Sequence, residues 1–279
     1  MFILNFLKSI VFGIVEGISE WLPISSTGHM ILLEKILPLN VSADFMSFYL
    51  VVIQLGAIMA VVVMFWKKIW PLGKSEETGK VYFKKNILNL WLKIIISCIP
   101  AVIVGLLIDD LIEKLFYNYI CVAIALIVFG IVFIVLENNI KKNNIKPRIN
   151  SINEIDHKTA LYIGLFQVIA AIFPGTSRSG STVIGGLFLG MKRKTIVEYT
   201  FYLSIPVMIG ASIMKIMKIG IAFTFGEFII LLIGMAAAFI VSIFVIRFFL
   251  NYVKKKDFKI FGWYRIVLGI IVILFAIFS

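Results

Sequence analysis

Six runs of this chain are apolar for the thickness of a lipid bilayer. They extend over Phe45 to Trp66, Ile87 to Ile108, Asn118 to Leu136, Ile196 to Met217, Glu227 to Leu250 and Phe261 to Phe278. A helix needs about 20 such residues to cross the hydrocarbon core. Within that core every backbone polar group must be satisfied internally, which leaves only helices or closed barrels. A barrel would show short alternating segments instead. The mean hydropathy of +1.04 and the 15% of charged residues exclude an ordinary soluble domain. The expected class is an all-α polytopic membrane protein.

The net charge of +12 does not point to nucleic acid, because the charges cluster between the runs. One loop holds Lys67, Lys68, Lys74, Lys80, Lys84 and Lys85. The next is acidic, with Asp109, Asp110 and Glu113 against Lys114. A long basic loop with Lys141, Lys142, Lys146, Arg148 and Lys158 follows, then short patches at Lys192–Lys194 and Lys254–Lys256. Basic loops stay cytoplasmic and lie against anionic headgroups. Cys98 and Cys121 sit in or beside apolar runs with no metal spacing, and free thiols are expected. The opening MFILNFLKSIVFGIV lacks a basic n-region and a small-residue cleavage site, so it is read as retained.

Charge placement makes the chain cytoplasmic at both Lys158 and Lys192, so the apolar segment between them enters and leaves on one side. Pro174 and Gly175 lie in its middle, as a helix–loop–helix that dips in and returns requires. The front of the chain repeats this pattern. VFGIVEGISEWLPISSTGH and LYIGLFQVIAAIFPGTSRSG align without gaps at an offset of 151, with Gly13 on Gly164, Glu16 on Gln167, Pro23 on Pro174 and Ser26 on Ser177. Phe48–Leu50 matches Phe201–Leu203 at an offset of 153. The expected architecture is two repeats, each a re-entrant hairpin followed by three transmembrane helices. The first covers residues 1–140 with its hairpin in 1–40; a cytoplasmic linker covers 141–158; the second covers 159–279 with its hairpin in 159–190. Three spans per repeat invert the second copy and put both termini outside. Inverted repeats of this kind place polar sites where broken helices meet, near the midplane. Gly13-x-x-x-Gly17 and Gly186-x-x-x-Gly190 are read as helix-packing positions.

Each hairpin tip carries a proline and then hydroxyls: Ser25, Ser26 and Thr27 after Pro23, and Thr176, Ser177, Ser179, Ser181 and Thr182 after Pro174. Proline ends the descending helix. The hydroxyls can cap the ascending helix, whose free N–H groups suit a phosphate. Arg178 near the bilayer centre costs at least about 2.5 kcal/mol on insertion scales and needs a partner. Glu20 and a phosphate oxygen pair are both candidates. Glu16 and Glu20 stand one turn apart on one helix face, as a proton donor or acceptor, or as a site for a divalent cation such as Mg²⁺ or Ca²⁺. His29 follows Ser26 by three residues and is a candidate catalytic group. His157 is read as a loop residue.

Glu16-x-x-x-Glu20 running into PISSTGH, and PGTSRSGST at 174–182, resemble the undecaprenyl-diphosphate phosphatase family, also called bacitracin-resistance proteins. The resemblance extends over the whole chain in length, span order and hairpin placement; Thr176 stands where the family varies. It implies a hydrolase of the bacterial cytoplasmic membrane that converts the C55 lipid carrier diphosphate to monophosphate and inorganic phosphate, recycling it for cell-wall synthesis. It also implies a divalent cation and a site open to the outer face. Glu16, Glu20, Ser26 and His29 carry over as catalytic, and Ser177, Arg178 and Thr182 as phosphate-binding. Ser25, Thr27 and Ser179 join the phosphate-binding set from their place at the tips. Whether Ser26, His29 or an activated water attacks phosphorus stays open, with Ser26 favoured. The competing class is a transporter or flippase for lipid phosphate or a small anion, using the same site. A homodimer is compatible with the sequence.

Overall fold

The computed structural model describes residues 2–75, 79–116, 118–220 and 223–278, the side chains of residues 109, 110 and 113 excepted. Its helices are α1 (Phe2–Ser19), α2 (Ser26–Ile36), α3 (Ala43–Val52), α4 (Gln54–Ile69), α5 (Lys85–Phe116), α6 (Tyr119–Lys142), α7 (His157–Ile172), α8 (Arg178–Phe188), α9 (Arg193–Ile219), α10 (Phe225–Tyr252) and α11 (Lys259–Phe278). A small antiparallel hairpin, β1 (Leu72–Lys74) with β2 (Val81–Phe83), follows α4. The all-α polytopic class is borne out. Among the described residues, seven helical stretches are long and apolar enough to cross a membrane: α1, α3 with α4, the Lys85–Ile108 part of α5, α6, α9, α10 and α11. Six contain the runs named above, and α1 adds a seventh.

Burial is inverted relative to a water-soluble protein. Leu107 is 75% exposed and Phe244 66%, whereas Glu16 and Arg265 are fully buried. Apolar side chains turned outward are at no disadvantage in lipid, and several polar groups turned inward hydrogen-bond between helices. Two such contacts tie helices together. Ser9 donates to the Ile230 carbonyl at 2.6 Å and meets the Tyr49 hydroxyl at 2.7 Å, joining α1, α3 and α10. Ser97 donates to the Ala160 carbonyl at 2.6 Å and meets the Tyr199 hydroxyl at 2.7 Å, joining α5, α7 and α9.

Helix α1 lies along α10, and α7 lies along α5. Gly13 and Gly17 allow the first approach: a Cβ on Gly13 would stand 2.3 Å from the Gly234 carbonyl oxygen, and one on Gly17 2.8 Å from that of Ala238. The packing role expected there holds. It holds for Gly186, which abuts Ile196, but not for Gly190. That residue lies beyond the end of α8 in a turn with φ of +79°, a conformation glycine adopts freely.

Three sequence boundaries shift. The run ending at Leu136 continues as helix to Lys142, since Glu137 is buried there against Arg193. Asp109 and Asp110 lie in helix, because α5 resumes after a kink at Ile108 (φ −138°); how their side chains and that of Glu113 are placed lies outside the described residues. The segment 141–158 is structured: Ile149 bridges to Met191, residues Ile152–Glu154 form a 3-10 turn, and Ile155 is buried. His157 is the first residue of α7, capped by Asp156.

Candidate active site

Both helix pairs α1–α2 and α7–α8 break in the same way. Helix α1 ends at Ser19 and α7 at Ile172, before Pro23 and Pro174. The ascending helices then start from serines held at φ 72° (Ser25) and φ 69° (Ser177). Each serine side chain accepts the amide three residues on, from Gly28 and Gly180. Positive φ is uncommon for residues other than glycine, and strain of this kind gathers at functional sites. The caps pair Ser25 with Ser177, an offset of 152 rather than 151. The ungapped alignment therefore fails at the tip. Pro174-Gly175-Thr176 carries one residue more than Pro23-Ile24 before the cap, so Ser26 corresponds to Arg178.

That correspondence puts Ser26 and Arg178 at the starts of two helices. Arg178 Nη2 lies 2.6 Å from Glu20 Oε1, and Ser26 donates its hydroxyl to Glu20 Oε2 at 2.9 Å. One carboxylate thus joins the two tips. Arg178 Nη1 also donates to the Thr200 carbonyl at 3.4 Å, and Ser179 donates to the Glu20 carbonyl at 3.3 Å. His29 sits between Ser25 and Tyr264. Its Nδ1 is 2.7 Å from the Ser25 carbonyl, which can only accept, so Nδ1 carries the proton. Nε2 is 2.7 Å from the Tyr264 hydroxyl, and the two rings stack at 5.6 Å.

The structure brings together Glu16, Glu20, Ser26, Ser179 and Arg178 as the sequence suggested, with the expected Glu20–Arg178 pair. Other hydroxyls are already engaged. Ser25 and Ser177 serve as caps; Thr182 donates to the carbonyls of Arg178 and Ser179 and meets Thr200 Oγ1 at 2.9 Å. Thr27 is half-buried on the first turn of α2. His29 makes its hydrogen bonds away from Ser26.

Sequence reasoning missed Arg265. Fully buried in α11, it donates to the Pro23 carbonyl at 3.3 Å and to the carbonyls of Gly175 and Thr176 at 3.0 and 2.7 Å. It therefore holds both tips with one guanidinium. The signal was present: a lone arginine inside the run Phe261 to Phe278 meets the same insertion-cost argument applied to Arg178. Tyr264 and Thr200 carried no signal of their own, being ordinary residues of apolar helices.

Glu16 is fully buried, and neither of its carboxylate oxygens has a hydrogen-bond partner. Among the described residues no group of three or more His, Cys, Asp or Glu converges on a metal position. Two glutamates one turn apart, one of them unpartnered, are oxygen donors of the kind a hard divalent cation would take.

The family model described as bacitracin resistance protein BacA matches residues 9–271. An undecaprenyl-diphosphatase of Desulfitobacterium hafniense is 56% identical over 99% of this chain and 97% of its own length. An undecaprenyl-diphosphatase 1 of Clostridium acetobutylicum is 55% identical over 98% and 97%. An undecaprenyl-diphosphatase of Enterococcus faecalis is 50% identical over 97% of each chain.

Proposed function

The chain belongs to the bacitracin resistance protein BacA family, and on that premise we propose that it is an integral membrane phosphatase. Its reaction is hydrolysis of undecaprenyl diphosphate to undecaprenyl phosphate and inorganic phosphate. This recycles the lipid carrier for cell-wall synthesis and confers bacitracin resistance. The observation that carries the reading is the meeting of Ser26, Glu20 and Arg178 at the starts of two broken helices. A diphosphate head needs that set: a hydroxyl, an acceptor for its proton, and a guanidinium for the phosphate oxygens.

In this reading the two helix pairs are re-entrant hairpins of inverted repeats, as the matched strained caps support. The protein lies in the bacterial cytoplasmic membrane with both termini outside and the site open to the outer face. Ser26 Oγ attacks the terminal phosphorus and its proton passes to Glu20. The bond from phosphorus to the bridging oxygen breaks, and the polyprenyl monophosphate leaves. Water then attacks the phosphoserine, Glu20 returns the proton to Ser26, and inorganic phosphate departs. Arg178 exchanges Glu20 for phosphate oxygens as the head enters, and the α8 amides add donors. Glu16, with Glu20, would hold a divalent cation whose charge offsets that of the diphosphate.

Purified protein in micelles, given a prenyl diphosphate, is expected to release phosphate with no membrane gradient. Ser26→Ala should lower that rate at least about a hundredfold. Near-normal turnover would favour direct attack by water, and phosphate trapped on His29 would reassign the nucleophile. No release by wild-type protein, with Arg178 still required for binding, would point to the transporter reading. Glu16→Gln should raise the cation concentration needed for half-maximal rate, read by titration after chelation; an unchanged curve would remove Glu16 from the cation site.

A further inference from the structure

Two cavities flank the first turn of α9, on the face that carries the basic loops. One, of about 530 Å³, is lined by Lys67, Lys68, Lys192 and Lys194. The carboxylate lining it is already engaged: Glu198 pairs with Lys68 and accepts from the Tyr202 hydroxyl at 2.8 Å. Among the described residues no carboxylate lies within ion-pair distance of Lys67, Lys192 or Lys194. Among the described residues, these three cations thus line one chamber with no carboxylate in ion-pair reach. The second cavity, of about 460 Å³, shares Lys192 and Lys194, adds Lys254, and is floored by apolar side chains including Leu187, Met191 and Val253. Lys192 is the N-cap of α9 and contributes no side-chain cap.

Cations around a polar chamber, opening beside an apolar one, match an amphiphile with an anionic head. The head charge decides which kind. A phosphate monoester carries close to two negative charges at neutral pH, enough to engage several ammonium groups at once. A zwitterionic phosphodiester head brings its own cation among the lysines and gains little. We propose that these cavities form a phosphate-monoester site, distinct from the helix tips, with which they share no lining residue. Its ligand is a lipid bearing a terminal phosphate or the free anion, and the assignment stands whether or not the tips are hydrolytic.

The test is native mass spectrometry of the full chain in detergent, titrated with phosphatidate and, separately, with phosphatidylcholine. Phosphatidate is expected to be retained in preference. Lys192→Ala with Lys194→Ala should weaken it by roughly tenfold or more, given about 1 kcal/mol per interfacial lysine. Lys255→Ala with Lys256→Ala, a charge-matched pair outside the lining, should leave it within about twofold. Displacement of the lipid by inorganic phosphate would identify the free anion as ligand; persistence would identify the lipid. Equal retention of both lipids, or equal loss from the two lysine pairs, would overturn the proposal. Far-ultraviolet circular dichroism of each variant separates loss of binding from loss of fold.

Discussion

At the scale of single residues, the site turns on one carboxylate with two duties. Glu20 compensates Arg178 and accepts from Ser26 through different oxygens. Glu20→Gln keeps the shape but removes the charge. It leaves a largely buried guanidinium without its counter-ion, which costs about 3–5 kcal/mol when one partner of such a pair is lost. It also removes the acceptor for the serine proton, a contribution of about 10²–10⁴ in rate. Adding Arg178→Gln should recover part of the melting temperature in detergent and none of the phosphate release. Recovery of both would mean that Glu20 serves structure alone. The glutamates, Ser26 and Arg178 were legible beforehand because a charge or hydroxyl cluster in an apolar run demands a reason. Which Glu20 oxygen meets which partner was not legible, since that depends on how two distant tips abut.

At the scale of elements, the half-helices explain why the tips are polar yet ordered. Helices α2 and α8 each begin from a serine whose backbone is strained and whose side chain supplies the cap. The two properties are separable by substitution. Ser25→Ala loses the cap and keeps the strain, and should cost about 1–2 kcal/mol. Ser25→Gly loses the cap but relieves the positive φ, and should fall within about 0.5 kcal/mol of wild type. Thermal unfolding of both variants checks the order; a glycine variant less stable than the alanine one would remove strain from the account. Apart from α1, which was read as half of a hairpin, and the end of α6, the spans were readable from hydropathy to within a few residues. That end was hidden because a charged stretch reads as loop until the partner of Glu137, Arg193 of α9, is known. The one-residue difference between the tips was equally hidden, because sequence identity weighs Ser26 against Ser177 whereas backbone geometry pairs Ser25 with it.

At the scale of the whole molecule, Arg265 is the tie between the halves. It reaches carbonyls from both tips and has no carboxylate within ion-pair distance among the described residues. Its two Nη groups are met by carbonyl oxygens, while its buried Nε has no hydrogen-bond partner among the described residues. Arg265→Lys keeps the charge but offers a compact ammonium in place of a planar fork. It should fail to span three carbonyls, lowering both the melting temperature and kcat while leaving the reactive residues in place. A variant with wild-type kcat and stability would show that the tips need no such tie. The class and broad function were legible from run lengths and paired motifs. The tie was not, because its partners are backbone atoms, and sequence patterns of side chains do not register those.

The place of Arg265 along the chain has a consequence for biogenesis. Both tips precede α11 in the sequence, so both emerge from the ribosome before the residue that clasps them. Chains fold from the N-terminus as they are made. The membrane therefore receives Glu20, Ser26 and Arg178 while the carbonyls of the tips still lack their donor. A nascent chain halted before α11 would hold its reactive groups in lipid with the tips unclasped. A chain truncated before α11 is therefore expected to insert but to release no phosphate from a prenyl diphosphate.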